Sequence, residues 1–216
     1  MRNFGSPPAV HVVIPAAGVS RRMGRPKLML KLGERTVIAW LVESLTQADV
    51  ATISVLVRPN DTALLNELQN LPATPVVADH ITADMKESVT LLLKQLPSQS
   101  QVNDEDGWML IPADYPIVSS KLVGEIIDIW RQQPDRIIVP THHGKRGHPV
   151  IFPWRLTSLL PMIPANMGLN WFLQQTDIAI VEFACHEPSV HWDLDTPDDF
   201  ERIQQIFELR LKSQEL

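Results

Sequence analysis

An α/β fold with a largely parallel sheet is what this sequence predicts, on three observations. Short β-branched apolar runs alternate with segments whose apolar residues recur at helical spacing. Pro, Gly and polar capping residues fall at the joints between them. The 216 residues suffice for one sizeable core but not comfortably for two, so a single domain over 1–216 is expected.

Met1 to Ala9 holds one Arg and two consecutive prolines without an apolar stretch, and reads as an unstructured leader. His11 to Ile14 is the first strand. Thr36 to Thr46 sets Val37, Ile38, Trp40, Leu41 and Leu45 on one helical face. Thr52 to Val57 is a second strand, and Asp61 to Leu71 a helix with Asp61 as its cap. Pro75 to Ala78 is a third strand. Asp84 to Leu96 is expected as a helix ending before Pro97, because an interior proline removes a helix N–H.

The polar run Ser98 to Asp106 reads as a surface loop, and Trp108 to Ala113 as a buried strand stopped by Asp114-Tyr115-Pro116. Ser119 or Ser120 opens a helix through Arg131, followed by a strand over Arg136 to Val139 and a polar loop over Thr141 to Gly147. Pro149 to Phe152 is a strand, Trp154 to Leu160 and Asn166 to Gln175 are short helices, and Ile178 to Phe183 is the last strand. Thr196-Pro197-Asp198-Asp199 starts a final helix toward Leu211, with a capping Thr, Pro at the first position and acids in the first turn.

Composition excludes several classes. With 44% hydrophobic and 20% charged residues, and no apolar run near the roughly 20 residues of a membrane helix, the chain reads as an ordinary globular protein with no membrane partner. A cytoplasmic location is the expectation. Cys185, the sole cysteine, excludes an intrachain disulfide, and its place after an apolar run suits a packed thiol rather than a nucleophile. The net charge of −6 argues against a nucleic-acid surface.

Positive charge is instead concentrated. Arg21, Arg22, Arg25, Lys27 and Lys31 follow the first strand with no acid among them, after the small residues Ala16, Ala17 and Gly18. Small residues let backbone N–H groups approach a ligand closely, and the cations supply charge, so the stretch is suited to a polyphosphate. It is neither a P-loop nor a dinucleotide-binding turn. Gly18 and Gly24 bracket five residues rather than four, Arg25 follows where Lys is required, and a third close glycine is missing. In open α/β sheets ligands bind beyond the carboxyl ends of the strands, which brings this loop, the 78–88 connection and Asp114 to one edge.

Gly18, Ser20, Arg22, Met23, Gly24 and Lys27 resemble the signature loop of the nucleotidyltransferases that include molybdenum cofactor cytidylyltransferase. Ala113-Asp114-Tyr115-Pro116, Gly147-His148-Pro149 and Asp193-Leu194-Asp195-Thr196-Pro197 resemble three later motifs of that family in the same order. Ala113, Tyr115 and Asp84 depart from its usual residues, and Asn166 to Asn170 stands where it carries a different segment on the acceptor side.

The resemblance implies a three-layer α/β/α sandwich with a Rossmann-like, nucleotide-binding N-terminal half. It implies transfer of a nucleotidyl group from a nucleoside triphosphate to a phosphorylated acceptor such as molybdopterin, with pyrophosphate released, magnesium as cofactor and a molybdoenzyme as client. CTP is the preferred donor, on Pro15-Ala16-Ala17-Gly18 and on Ser88-Val89, which resembles a cytosine-contacting segment. GTP use, another small phosphate acceptor, and a non-catalytic chaperone are the alternatives. By motif position, Ala16, Ala17, Gly18, Ser20, Arg22 and Ser88 bind nucleotide, with Arg22 on the β- and γ-phosphates. Lys27 at the α-phosphate joins Arg22 in catalysis, and Asp114 and Asp195 hold metal. Gly147, His148 and Pro149, beside Lys145 and Arg146, meet the acceptor. Asp195 also has a purely local explanation as a cap of the last helix, Arg21 and Arg25 read as solvated charges, and His142 and His143 lack a defined ligand geometry.

Overall fold

The computed structural model describes residues 7–175 and 177–214, so the expected leader lies outside it up to residue 6. The chain runs β1 (Val10–Pro15), a 3-10 turn at Lys27–Met29, β2 (Lys31–Leu32), β3 (Arg35–Thr36), α1 (Val37–Thr46), β4 (Thr52–Val57), α2 (Thr62–Leu68), β5 (Thr74–Val77), α3 (Met85–Gln99) and β6 (Gly107–Leu110). It continues with α4 (Ser120–Gln132), β7 (Ile137–His142), β8 (Lys145–Arg146), β9 (Val150–Pro153), 3-10 segments at Trp154–Met162 and Leu169–Gln174, β10 (Ile180–Ala184), a 3-10 turn at Pro188–His191 and α5 (Pro197–Gln214).

The main sheet has the order β10-β7-β9-β6-β1-β4-β5, with β8 paired to β7, while β2 and β3 form a separate hairpin. β1 lies parallel between β4 and β6, and β5 is parallel to β4. This is the Rossmann-like half. β9 runs antiparallel to both β6 and β7, because the β8 hairpin between β7 and β9 is too short for a parallel crossover.

Alternation along β1 sorts the two faces. Val10, Val12 and Ile14 pack with Leu41, Leu45, Ile126 and Phe207 on one side, and Val13 packs with Val89, Leu92, Leu96 and Phe172 on the other. Helices on both faces make the expected three layers. Truncating a buried leucine such as Leu92 would cost about 2–5 kcal/mol. No helix among the described residues is long and apolar enough to cross a membrane.

Caps follow the sequence closely. Thr36, Asp61, Ser119 and Asp84 accept the N–H of Ala39, Leu64, Leu122 and Glu87 at the starts of α1, α2, α4 and α3. Several expectations need correction. α3 runs through Pro97 for a further half turn, where the N–H of Ser100 still reaches the Leu96 carbonyl at 2.9 Å. β6 stops at Leu110, short of Ala113. Residues 141–147 form the β7–β8 hairpin rather than a plain loop. The short helices near 154 and 169 are 3-10.

Asp106, read as part of a surface loop, is buried and accepts the N–H groups of Ala9 and Asn103 at 2.9 and 2.8 Å. A carboxylate can satisfy several orphan backbone donors at once, which explains its burial at the amino edge of the sheet. Ala9, the last residue of the expected leader, is thereby buried and tied to the sheet.

Candidate active site

The carboxyl ends of β1 and β6 open onto one cleft of about 520 Å³. Ala16, Ala17, Gly18, Ser20 and Lys27 line it from the first loop, Ser88 with Ile81–Met85 from the start of α3, and Asp114 from beyond β6. The Ala16 N–H is already bound to the Leu56 carbonyl at 3.0 Å, so Ala16 extends the sheet and gives the cleft its small side chain rather than a donor. Gly18 is open on its Cβ side, where a side chain would occupy free space.

Ser20 has φ of 49° and Gly24 of 69°, and the Gly24 N–H returns to the Ser20 carbonyl at 3.2 Å. The Ser20 hydroxyl accepts the Lys27 N–H at 3.4 Å, so it shapes the loop. Ser88 is buried, its hydroxyl engaged with the Asp84 carbonyl at 3.1 Å and the Thr82 hydroxyl at 2.8 Å. Thr82 and Met85 line the cleft from the 78–88 connection expected at this edge, although neither belongs to a quoted motif.

Four charged residues from three distant segments converge. Lys27 Nζ donates to Asp114 Oδ2 at 2.5 Å and to Asp195 Oδ1 at 2.9 Å, and Arg22 Nη2 donates to Asp195 Oδ2 at 2.6 Å. The topology explains the meeting. Adjacent parallel strands β1 and β6 set Lys27 beside Asp114, and the Leu194 N–H bonds the Asp114 carbonyl at 2.9 Å, carrying Asp195 to the same place. The local explanation of Asp195 as a cap fails. Thr196 and Asp199 cap α5 reciprocally, leaving the Asp195 carboxylate to Lys27 and Arg22.

Burial pushes the Asp114 carboxyl above the usual carboxylate range, against the attraction of Lys27. Burial acts on Lys27 in the opposite sense, but Asp114 and Asp195 outweigh it and hold the ammonium above its ordinary value. For Asp195 burial is likewise outweighed, by Lys27 and Arg22, and the carboxyl lies below the usual range. The buried Oδ1 of Asp114 has no hydrogen-bond partner. An orphaned carboxylate oxygen next to a second carboxylate fits a magnesium ion, which takes one or two protein carboxylates and completes its shell with phosphates and water. No group of three or more metal-ligating side chains occurs among the described residues.

A neighbouring cavity of about 510 Å³ is lined by Gly147 and His148. Tyr115 meets the His148 ring edge-on at 5.4 Å, and Lys145 and Arg146 line the same space, with Arg146 also paired to Glu182 at 2.7 Å. His148 lines this cavity as the acceptor-side expectation placed it. Burial lowers its pKa to about 4, so it is a neutral group near pH 7. Pro149, expected at the acceptor, is buried and does not line the cavity. A Cβ on Gly147 would lie 2.4 Å from the Val190 carbonyl oxygen, so close backbone packing requires glycine there. Asn170, His191 and Asp193 also line this cavity. Asn170 belongs to the stretch expected on the acceptor side, whereas nothing in the spacing of Asp193 aimed it here.

Arg25 lies over the Phe200 ring at 5.5 Å, and Arg21 lines the cleft, so neither is simply solvated. His142 and His143 contact one another at 4.1 Å between ring centroids, and His142 Nδ1 meets the Cys185 carbonyl at 3.1 Å. The buried Cys185 thiol has its pKa raised by burial, as suits a packed group.

A parallel-sheet cleft with a small-residue loop, a lysine and two carboxylates at one strand edge places the chain in the nucleotidyltransferase class of α/β proteins. Residues 12–179 match the MobA-like NTP transferase domain, and the chain belongs to that family. It is 39% identical over 95 residues to 2-C-methyl-D-erythritol 4-phosphate cytidylyltransferase of Prochlorococcus marinus, a match spanning 43% of this chain and only 42% of that protein. To molybdenum cofactor cytidylyltransferase of Escherichia coli it is 24% identical over 207 residues, covering 89% of this chain and 94% of the relative. The crystal structure of Rv0371c from Mycobacterium tuberculosis superposes with a TM-score of 0.79 at 22% identity, over 93% of this chain and 99% of that one. A second structure of Rv0371c, described as a complex with manganese, has a TM-score of 0.74 at 22% identity, over 91% and 98% of the two chains.

Proposed function

We propose that the protein is a magnesium-dependent nucleotidyltransferase that moves a nucleotidyl group, CMP from CTP by preference, onto a phosphorylated small molecule of the molybdopterin kind. The observation that carries this reading is the convergence of Lys27, Asp114, Asp195 and Arg22 beside a loop whose residues Ala17 to Ser20 line a nucleotide-sized cleft. Relatives named as cytidylyltransferases, one of them for the molybdenum cofactor, support this choice of donor and acceptor. A cytoplasmic location and a molybdoenzyme client belong to the same proposal.

In this reaction an acceptor phosphate oxygen attacks the α-phosphorus, the bond from that phosphorus to the bridging oxygen breaks, and pyrophosphate leaves. Asp114 and Asp195 would hold magnesium, which would supply charge neutralisation and orientation of the phosphates. Negative charge grows on the α-phosphoryl oxygens, and the Lys27 ammonium stabilises it there as a point charge. The Arg22 guanidinium clamps two phosphate oxygens at once, for which its planar fork is suited. The Ala17 and Gly18 backbone approaches the phosphates closely, and Ser20 holds the loop in register with Lys27. The second cavity, with Lys145, Arg146 and neutral His148, receives the acceptor with its phosphate turned toward Lys27. Incubation with magnesium, acceptor and each of the four nucleoside triphosphates, followed by pyrophosphate measurement, tests the reading. Release with CTP ahead of GTP is expected; no release with any acceptor and nucleotide overturns it.

A further inference from the structure

Two hollows meet at one step of the chain. Asp114 lines the nucleotide cleft, and Tyr115, the next residue, lines the second cavity. Tyr115 is one of the residues by which this motif departs from the family it resembles, so the motif supplies no role for it. It is also the sole tyrosine of the chain. Its ring is half-buried, packs against the core and meets His148 edge-on at 5.4 Å. Packing explains the ring but not the oxygen. A phenylalanine would make the same contacts, and a packed tyrosine ordinarily gives its O–H a partner. Among the described residues this hydroxyl has no hydrogen-bond partner, although the carboxylates of Asp193, Asp114 and Asp195 are all near enough to act on it.

The Leu194 N–H on the Asp114 carbonyl brings both neighbours of Leu194 to this boundary, Asp195 beside Lys27 and Asp193 into the cavity wall. In the reaction proposed above, the acceptor phosphate crosses the same boundary to reach the α-phosphate. It is an anion entering among three carboxylates, and like charges repel. The Lys27 ammonium is already engaged with Asp114 and Asp195. A donor turned toward the incoming phosphate offsets this repulsion, and the open Tyr115 O–H stands where one is needed.

We propose that the Tyr115 hydroxyl donates a hydrogen bond to the reacting phosphate of the acceptor and holds it at the passage from the second cavity to Lys27. This rests on the nucleotidyl-transfer reading for the reaction, and on the place of the hydroxyl for the contact. A single tyrosine makes the contact directly observable. Protein carrying tyrosine labelled with carbon-13 at the hydroxyl-bearing carbon gives one such signal by NMR. Inorganic phosphate is the probe, added with magnesium and a CTP analogue whose α,β-bridge is a methylene. Saturable movement of the signal with phosphate is expected, and none with sodium chloride at equal ionic strength. Tyr115→Phe, which keeps the ring, is expected to melt as wild type and to leave the KM for CTP unchanged. Its KM for a molybdopterin-type acceptor is expected to rise at least about tenfold, the scale of one hydrogen bond to a charged group.

Should Tyr115→Phe lower the melting temperature, the phosphate titration of the wild-type protein decides the matter. A signal that phosphate leaves in place, or a wild-type acceptor KM in Tyr115→Phe, overturns the proposal and leaves Tyr115 as a packed ring. Phosphate-dependent movement in a protein that releases no pyrophosphate from any nucleotide would uphold the contact and reject the reaction assigned to it.

Discussion

Lys27→Ala is expected to separate two effects of one ammonium group. In the structure Nζ lies 2.5 Å from Asp114 and 2.9 Å from Asp195, and so neutralises the two carboxylates proposed to hold magnesium. Opposite unit charges about 4 Å apart attract by about 4 kcal/mol at an effective dielectric constant near 20. The three side chains are 16 to 23% exposed, so screening is partial, and side-chain ordering reduces the net further, to about 1–2 kcal/mol. Without the lysine the carboxylates need not exchange one cation for another, and magnesium binding to the nucleotide-free protein should tighten about tenfold. Turnover should move the other way, because the charge growing at the α-phosphate loses its partner, at a cost of about 10²–10³ in kcat. The assay pairs a calorimetric magnesium titration at neutral pH with pyrophosphate release at saturating magnesium. Weaker metal binding, or unchanged turnover, would refute the reasoning.

Three further outcomes are expected. Asp114→Asn should raise the magnesium needed for half-maximal activity by at least about tenfold, and Asp195→Asn by less; a magnesium dependence unmoved by either would remove both from the metal site. Gly147→Ala should destabilise by about 1–3 kcal/mol, because the new methyl meets the Val190 carbonyl, and calorimetry showing an unshifted melting temperature would contradict this. For His148, the folded value of about 4 lies below the ordinary 6.5, so the unfolded chain takes up the proton first as pH falls. Stability is then fully present above pH 6.5 and declines toward pH 4 by up to about 3 kcal/mol, and denaturant titrations of His148→Gln should show a flatter decline across that window.

The sequence was most legible where the physics is local. Thr36, Asp61, Ser119 and Thr196 are caps recognisable from their own neighbours, and the two faces of β1 follow from alternation. The candidate site was legible where a motif carried it, at Lys27, Asp114 and Asp195. What escaped depended on contacts between distant segments. Asp106 is polar and lies in a polar run, and its burial is explained by the backbone donors of Ala9 and Asn103 together with the His11 ring. His191 and Asp193 reach the second cavity through the turn that packs Val190 on Gly147. The neutrality of His148 is a consequence of burial that its neighbours in sequence, Lys145 and Arg146, obscure.

The central claim is that the α-phosphate of a nucleoside triphosphate is passed to an acceptor phosphate at Lys27. The most direct measurement follows a label in that α-phosphate. With CTP labelled there, magnesium and a molybdopterin-type acceptor, the label should appear in the acceptor in step with unlabelled pyrophosphate, and Lys27→Ala should slow both together. Label that stays in CTP, or leaves as free CMP without entering the acceptor, would contradict it.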